Sequence, residues 1–474
     1  MDSYNRFLRE NGNFIYGINL PWFGISKNRS CTFGASPFDG AKAAYDHSDA
    51  KLAVENIAAI GFTCIRTWVF TGLGGTVLDE SGKVIGLSDD FISNLTDFLE
   101  IIKQNGLTVN LILMPHIIQS VPFNPDNLAV NAAFQKTAMK TVTNEEYRRA
   151  FIDNALMPAL EAIKGYEDII ICMDLYCEPE GDAFETTGKL DMKTHPGRVE
   201  KLSELTDFIK AESDAVKAVM PEVKRLVSCS FGQNYLKFNT YKAYNIDILG
   251  LDIYNNESET QIPEARITDD VRKAIPEVWV TECNYSQKKA DIMAVADWKE
   301  EQFAEIIVNF YENAKKNGYT ACFMWHYAGS NGVKTSLTEN TKTADYSAVR
   351  LSGRILHCNI LDWNKKIGKL SGPEKPALLA NGDSRCLRWL ASRDALKYEI
   401  QYKADNEWKT LETVNKGDKK YIRNDTVDFY SNEGDNRLYE YMLSGGFETG
   451  KQNFRISAVV KFKDEETAVY SNVI

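Results

Sequence analysis

Two glutamates stand where a chain could do acid–base and nucleophilic work. Glu178 follows the apolar run "DIIICMDLY" within "MDLYCEPEGD", and Glu282 closes "VWVTE". Two carboxyl groups about 5–5.5 Å apart suit retaining glycosidic hydrolysis, in which one attacks the anomeric carbon and the other protonates the departing oxygen. The pair must differ in acidity, one protonated at rest and the other ionised. Arg66 of "CIRTW" can hold Glu282 ionised by its charge, and Tyr254 of "LDIYNN" can give it a hydrogen bond. His116 ends a further apolar run, and the flat side chains of Trp22, Phe23, Trp68, Tyr285 and Trp325 are placed to stack on a sugar ring. Taken singly, a glutamate after a strand is a helix cap or an ion-pair partner, and Glu180 or Asp182 could cap the next segment. The company of Arg66, Tyr254 and Trp325 on other strands favours the site. Trp298, Trp363, Trp389 and Trp408 read as core residues.

Such residues need elements that bring them to one place. A repeated junction supplies them: an amphipathic helix, a glycine, then a short buried strand. In "NLTDFLEIIKQNGLTVNLILM" Leu95, Phe98, Leu99 and Ile102 recur at helical spacing, and Gly106 suits a left-handed stop. "FAEIIVNFYENAKKNGYTACFMW" repeats this with Phe303, Ile306, Ile307, Phe310 and Gly318; "LAVENIAAIGFTCIRTWVF" does so with Val54, Ile57, Ala58 and Gly61. Wholly apolar strands separated by helices imply a parallel sheet covered by helices. Strands are expected at 13–19, 62–69, 107–114, 168–175, 224–230, 247–253, 277–282 and 320–326. The fold class is therefore α/β, an enlarged (β/α)8 TIM barrel whose strands all end on the face that carries the active site. An open doubly wound sheet is the alternative, but no GxGxxG follows the first strand.

Beyond about residue 365 the texture changes. "GKLSGPEKP" reads as a linker, and "CLRWLAS", "LKYEIQYK" and "NFRISAVVKF" alternate as strands of a small all-β sandwich. The expected domains are a catalytic barrel over 1–365 and a sandwich over 373–474. The length of 474 residues also exceeds what one core usually organises.

Composition excludes several functions. A net charge of -11 without a basic stripe disfavours nucleic acid. No stretch reaches the roughly 20 apolar residues of a membrane span, and "MDSYNRFLRE" is too polar for a signal peptide. The chain is then either cytoplasmic or secreted with its leader removed, the second being favoured, and a monomer is expected. Nine cysteines without CxxC spacing read as reduced core residues, and five histidines without HxH or HExxH argue against a zinc hydrolase. No cofactor is expected. The partner is an oligo- or polysaccharide.

With these motifs on the page, the barrel resembles clan A glycoside hydrolases, especially glycoside hydrolase family 5. The resemblance implies Glu178 of its Glu-Pro motif as acid/base, Glu282 as nucleophile, Arg66 as partner of Glu282, Tyr254 as its donor and Trp325 as sugar platform. "FLRENGNFIYGIN" and "GFTCIRTWVF" look most like the endo-β-1,4-mannanase branch, and the implied activity is cleavage of β-1,4-linked mannan or glucan. Two positions depart from the family: Cys177 replaces the Asn that contacts the sugar 2-hydroxyl, and Asp252 replaces a His. Cys177 thus occupies a substrate-binding position with a weak donor. A thiol nucleophile or metal pair at Cys177 and Cys283 is one reading; packing is the other, because alternate strand residues point away from a barrel mouth. Asp252 could equally be a structural cap. The C-terminal segment resembles a fibronectin type III module, with Phe454 where that family often has tyrosine. A degenerate, non-catalytic carbohydrate-binding barrel is the alternative that Cys177 favours, and an adhesion protein is a third, resting on the sandwich alone.

Overall fold

The computed structural model describes residues 3–21, 32–38, 42–117, 128–187, 198–230, 238–255, 269–285, 300–327, 336–338, 346–423 and 437–474. Eight parallel strands close into a barrel: β1 (Ile15–Asn19), β2 (Cys64–Trp68), β3 (Thr108–Pro115), β4 (Ile170–Cys177), β5 (Lys224–Ser230), β6 (Ile248–Asn255), β7 (Glu277–Tyr285) and β8 (Ala321–Met324). Each pairs with its sequence neighbours, and β1 pairs with β8 to close the ring. Every strand expected from the sequence is present, with ends moved by a few residues. With antiparallel sheets after it, the chain is a TIM barrel followed by a small β domain.

The helix–glycine–strand junctions form for the reason their spacing implies. The helix Phe91–Gln104 buries Leu95, Phe98, Leu99 and Ile102, and the helix Glu300–Lys316 buries Phe303, Ile306, Ile307 and Phe310. Gly106 and Gly318 follow them at φ +66° and +71°, where a β-carbon would strain the backbone. In the helix His47–Ile60 the stripe is Ala53, Val54, Ile57 and Ile60; Ala58, expected to be buried, is partly exposed.

By compactness the chain divides into a first unit of residues 1–50, 63–286 and 310–326 and a second of 51–62, 287–309 and 327–474. In the first, the polar N-terminal segment makes a helix (Ser3–Glu10) that sets Tyr4 and Leu8 in a cluster with Ile15, Cys64, Cys172, Leu226, Trp279 and Phe323. Tyr4 stacks on Trp279 at 6.3 Å, and Trp279 on Phe323 at 5.7 Å. These residues lie toward the strands' N-terminal ends. That half of the barrel is an apolar core, which leaves polar chemistry to the other end.

In the second unit, β9 (Ala377–Leu379), β10 (Cys386–Leu390) and β13 (Leu438–Met442) form one antiparallel sheet. β11 (Ala395–Ala404), β12 (Glu407–Asn415), β14 (Phe454–Phe462) and β15 (Glu465–Tyr470) form another, ordered β12-β11-β14-β15. Trp389, Tyr398, Tyr439 and Phe454 share their core, with Trp389 stacked on Tyr439 at 5.2 Å. Trp389 is thus core as expected, whereas Trp363 and Trp408 are only half-buried. The Arg455 guanidinium covers the Trp408 ring at 4.3 Å, a cation–π contact that suits a strand surface. Trp298 lies outside the described residues.

Glu374, in the linker-like segment, is buried and accepts hydrogen bonds from Arg393 Nε at 3.0 Å and Lys365 Nζ at 2.7 Å. Burial opposes its charge, but the hydrogen bonds and charges of Arg393 and Lys365 hold its carboxyl down at about 2, against an ordinary 4.5. A depressed folded-state pKa adds stability above the unfolded value and loses it as pH falls through the folded one. The melting temperature is expected to drop between pH 4.5 and 2, and Glu374→Gln should flatten that part of the curve.

Candidate active site

The C-terminal ends of the strands bring the predicted residues together around Arg66. Arg66 is fully buried on β2, and its guanidinium is shared by two carboxylates: Nη1 donates to Glu282 Oε1 at 2.9 Å and Nη2 to Asp174 Oδ2 at 2.7 Å. Nη1 also reaches Asn19 Oδ1 at 2.9 Å, and Nη2 reaches Ser228 Oγ at 2.8 Å. The register sets this up, because Asn19 on β1 lies beside Arg66. Asn19 is itself fixed by donating to the carbonyls of Thr281 and Met324 at 3.0 and 3.2 Å.

Glu282 on β7 is therefore held from two sides, by Arg66 on Oε1 and by the Tyr254 hydroxyl of β6, which donates to Oε2. Burial pushes its pKa up; the Arg66 charge and the Tyr254 and Arg66 hydrogen bonds oppose that shift and favour the anion.

Glu178 follows the last residue of β4 and is in a different environment. Its amide donates to Ser228 O at 2.8 Å, and its backbone is left-handed at φ +52°, a conformation costing about 1–2 kcal/mol for a residue with a β-carbon. The chain then turns through the short helix Pro179–Asp182, pinned by Asp182 Oδ2, which accepts from Tyr176 Oη at 2.6 Å and the Ile117 amide at 2.8 Å. Gly181 lies against the His116 ring, so close that a β-carbon would fall 2.4 Å from Nδ1. His116 Nε2 is 3.5 Å from Glu178 Oε2. Burial first, and then the negative charge of Glu282, push the Glu178 carboxyl up to about 8. Two carboxyl groups in one barrel mouth thus have unlike surroundings: among the described residues Glu282 carries two strong donors and Glu178 none of comparable strength.

Trp68 and Trp325, at the ends of β2 and beyond β8, pack ring to ring at 5.5 Å, and Asn284 donates to the Trp325 carbonyl. Trp22 and Phe23 lie outside the described residues, as does the Tyr285 side chain.

The two cysteines beside the glutamates behave differently. Cys283 turns away from the mouth, its sulfur 3.6 Å from that of Cys322, as alternation along a strand requires. Cys177 points in: its Sγ lies 3.8 Å from Glu282 Oε1 and 3.7 Å from Asp252 Oδ2. The packing expectation fails for Cys177 because the β4–β5 register shifts between Asp174 and Cys177, so Asp174 and Cys177, an odd step apart, both face inward. Tyr176 turns outward instead, its ring edge-on to Phe208. Eight cysteines are free among the described residues, and all but Cys358 are buried.

Asp174, Ser228 and Thr281 were not singled out from sequence. Asp174 also accepts from Ser228 Oγ at 2.7 Å and its amide at 3.2 Å, and Thr281 Oγ1 donates to Asp252 Oδ1 at 2.7 Å. The one signal for Asp174 was a charge inside the apolar run "IIICMDLY". A buried guanidinium deprived of one of its two carboxylates is costly. Asp174→Asn is expected to lose about 3–5 kcal/mol in chemical denaturation. Ser228→Ala, which removes the hydroxyl's contacts to Arg66 and Asp174 but leaves that ion pair in place, should cost about 1.5–3 kcal/mol.

No family model matches the chain, and no curated protein is matched by its sequence. Among solved structures, the chain is similar to a GH5_18 protein from Streptomyces cattleya in complex with Manb1-4GlcNAc, at 13% identity over 71% of this chain and 81% of that one, TM-score 0.51. A beta-1,4-D-mannanase from Cryptopygus antarcticus is similar at 17% identity over 68% and 86%, TM-score 0.49. An endo-1,4-beta-mannanase from Eisenia fetida is similar at 18% identity over 68% and 87%, TM-score 0.49. At 13% identity the likeness to the Streptomyces cattleya protein is one of fold, and the fold seen here is the (β/α)8 barrel.

Proposed function

We propose that the chain is a retaining glycoside hydrolase that cleaves β-1,4-linked glycans of the mannan or glucan type by double displacement. The observation that carries the reading is the unequal setting of two carboxyls in one barrel mouth, Glu282 between Arg66 and Tyr254, and Glu178 raised to about 8. Glu282 serves as nucleophile, its anion oriented by Arg66 and Tyr254. Glu178 serves as acid/base, protonated at rest so that it can donate to the leaving oxygen and later deprotonate water. Trp68 and Trp325 form an aromatic wall suited to the CH face of a sugar, and His116 adjoins the acid. The barrel-plus-sandwich division at 1–365 and 373–474, with a fibronectin type III-like second domain, belongs to the same proposal; the three- and four-stranded antiparallel sheets support the sandwich part.

The reading fixes the sign of the pH dependence. An acid catalyst must be protonated in the free enzyme, so kcat/KM should fall as pH rises through about 8. Measured in metal-free buffer, Glu178→Gln should lose that alkaline limb along with most of the activity. A screen of aryl β-glycosides and β-mannan and β-glucan polysaccharides tests the function itself. Turnover of at least one β-glycoside with net retention, followed by NMR of the anomeric proton, is the expected result; binding without turnover across the panel would instead support the non-catalytic carbohydrate-binding barrel.

A further inference from the structure

The mouth of the barrel holds a second chemical possibility that the glycosidase reading does not use. Cys177 Sγ, Asp252 and Glu282 are buried, and one donor atom from each lies within 4.8 Å of the others. Two of the three edges are 3.7 Å, from sulfur to Asp252 Oδ2, and 3.8 Å, from sulfur to Glu282 Oε1. A tetrahedral zinc with about 2.3 Å to sulfur and about 2.0–2.2 Å to oxygen has sulfur–oxygen edges of about 3.6 Å. The two sulfur–oxygen edges are therefore nearly those that the ion would set.

A separate observation points to a ligand here. Asp252 is fully buried, yet among the described residues its Oδ2 meets only the thiol, a weak donor, while Thr281 satisfies Oδ1. The thiol, 2% exposed, lies between two acceptor oxygens and can donate its single hydrogen to one of them. Two acceptors converging on one weak donor is poor hydrogen bonding and good ligation.

We propose that Cys177, Asp252 and Glu282 form a site for one thiophilic divalent cation of the zinc or cadmium type, which blocks the nucleophile when bound. The thiolate selects such ions over magnesium or calcium, whose ligands are oxygens. Binding releases the thiol proton and replaces the Sγ contacts with metal bonds. Three anionic donors against a doubly charged ion leave one negative charge, which is offset by Arg66, bonded to Glu282 Oε1 at 2.9 Å. The inhibition, though not the binding, rests on the proposed function.

The test uses the full chain stripped with a chelator and titrated with Cd2+, following the cadmium–thiolate absorbance, and with Zn2+ by calorimetry. One equivalent is expected to bind. Cys177→Ala should abolish the absorbance, and Asp252→Asn, which removes a ligand, should weaken binding at least on the order of the 10- to 100-fold that loss of a ligand's supporting partner costs. Cys322→Ala should leave both unchanged, since it alters a sulfur pair with Cys283 that lies apart from the proposed ligands. Absence of binding, absorbance that survives Cys177→Ala, or absorbance lost with Cys322→Ala would overturn the site. If Cys177→Ala does not fold, Asp252→Asn decides alone, and unchanged affinity in it overturns the site. Zn2+ should also suppress hydrolysis reversibly. Cys177-dependent binding in a metal-free chain that hydrolyses nothing would retain the site and overturn the hydrolase reading.

Discussion

Replacing Glu282 with alanine is expected to lower kcat on every β-glycoside that the chain cleaves by on the order of 10^4-fold or more, the scale seen when a covalent catalyst's nucleophile is removed. In a double displacement there is no route to the glycosyl-enzyme without it. Its surroundings sharpen the expectation, because a guanidinium is no nucleophile and burial raises the Tyr254 hydroxyl's pKa well above its ordinary 10, which keeps it protonated. The variant also leaves Arg66 with Asp174 as its remaining carboxylate partner, so the fold is expected to persist with reduced stability. Activity with aryl and natural substrates, read beside circular dichroism, separates the chemical loss from the structural one. A decrease of only a few-fold would remove Glu282 from the nucleophile's role.

Glu178→Ala should behave differently, and the contrast is the informative part. General acid assistance contributes about 10^2–10^4-fold, but only where the leaving oxygen needs a proton. Hydrolysis of unactivated glycans is expected to fall by that range. The glycosylation step with activated aryl glycosides should be nearly spared, leaving deglycosylation slow because no base remains to activate water. Addition of azide, which needs no base, should restore turnover and give a β-glycosyl azide. Equal loss on all substrates, without azide rescue, would place Glu178 outside the acid/base role.

The parts of the molecule legible in sequence are those written in local pattern. All eight strands are present because each lies in an apolar run bounded by a helix stop or a polar end, and Gly106 and Gly318 hold the left-handed φ that such stops require. Since parallel strands end on one face, Arg66, His116, Glu178, Tyr254, Glu282 and Trp325 could be grouped without coordinates. The rest depends on features with no local pattern. The inward turn of Cys177 comes from a register shift in pairing with β5, a property of two strands. Asp174 and Ser228 owe their place to one guanidinium that reaches four side chains among the described residues. The use of Tyr4 to fill the strands' N-terminal end is equally long-range, since its ring meets Trp279. Trp408 runs the other way: its size suggests core, yet it is covered on a strand surface by Arg455.

The most direct measurement is covalent trapping. A 2-deoxy-2-fluoro β-glycoside with an activated leaving group slows deglycosylation more than attack, so a retaining enzyme accumulates its intermediate. Incubation followed by peptide mass spectrometry is predicted to find one fluorosugar per chain, on the peptide containing Glu282 and on that carboxylate. Hydrolysis of the corresponding unfluorinated glycoside with no label, or with the label on another residue, would contradict the double displacement at Glu282.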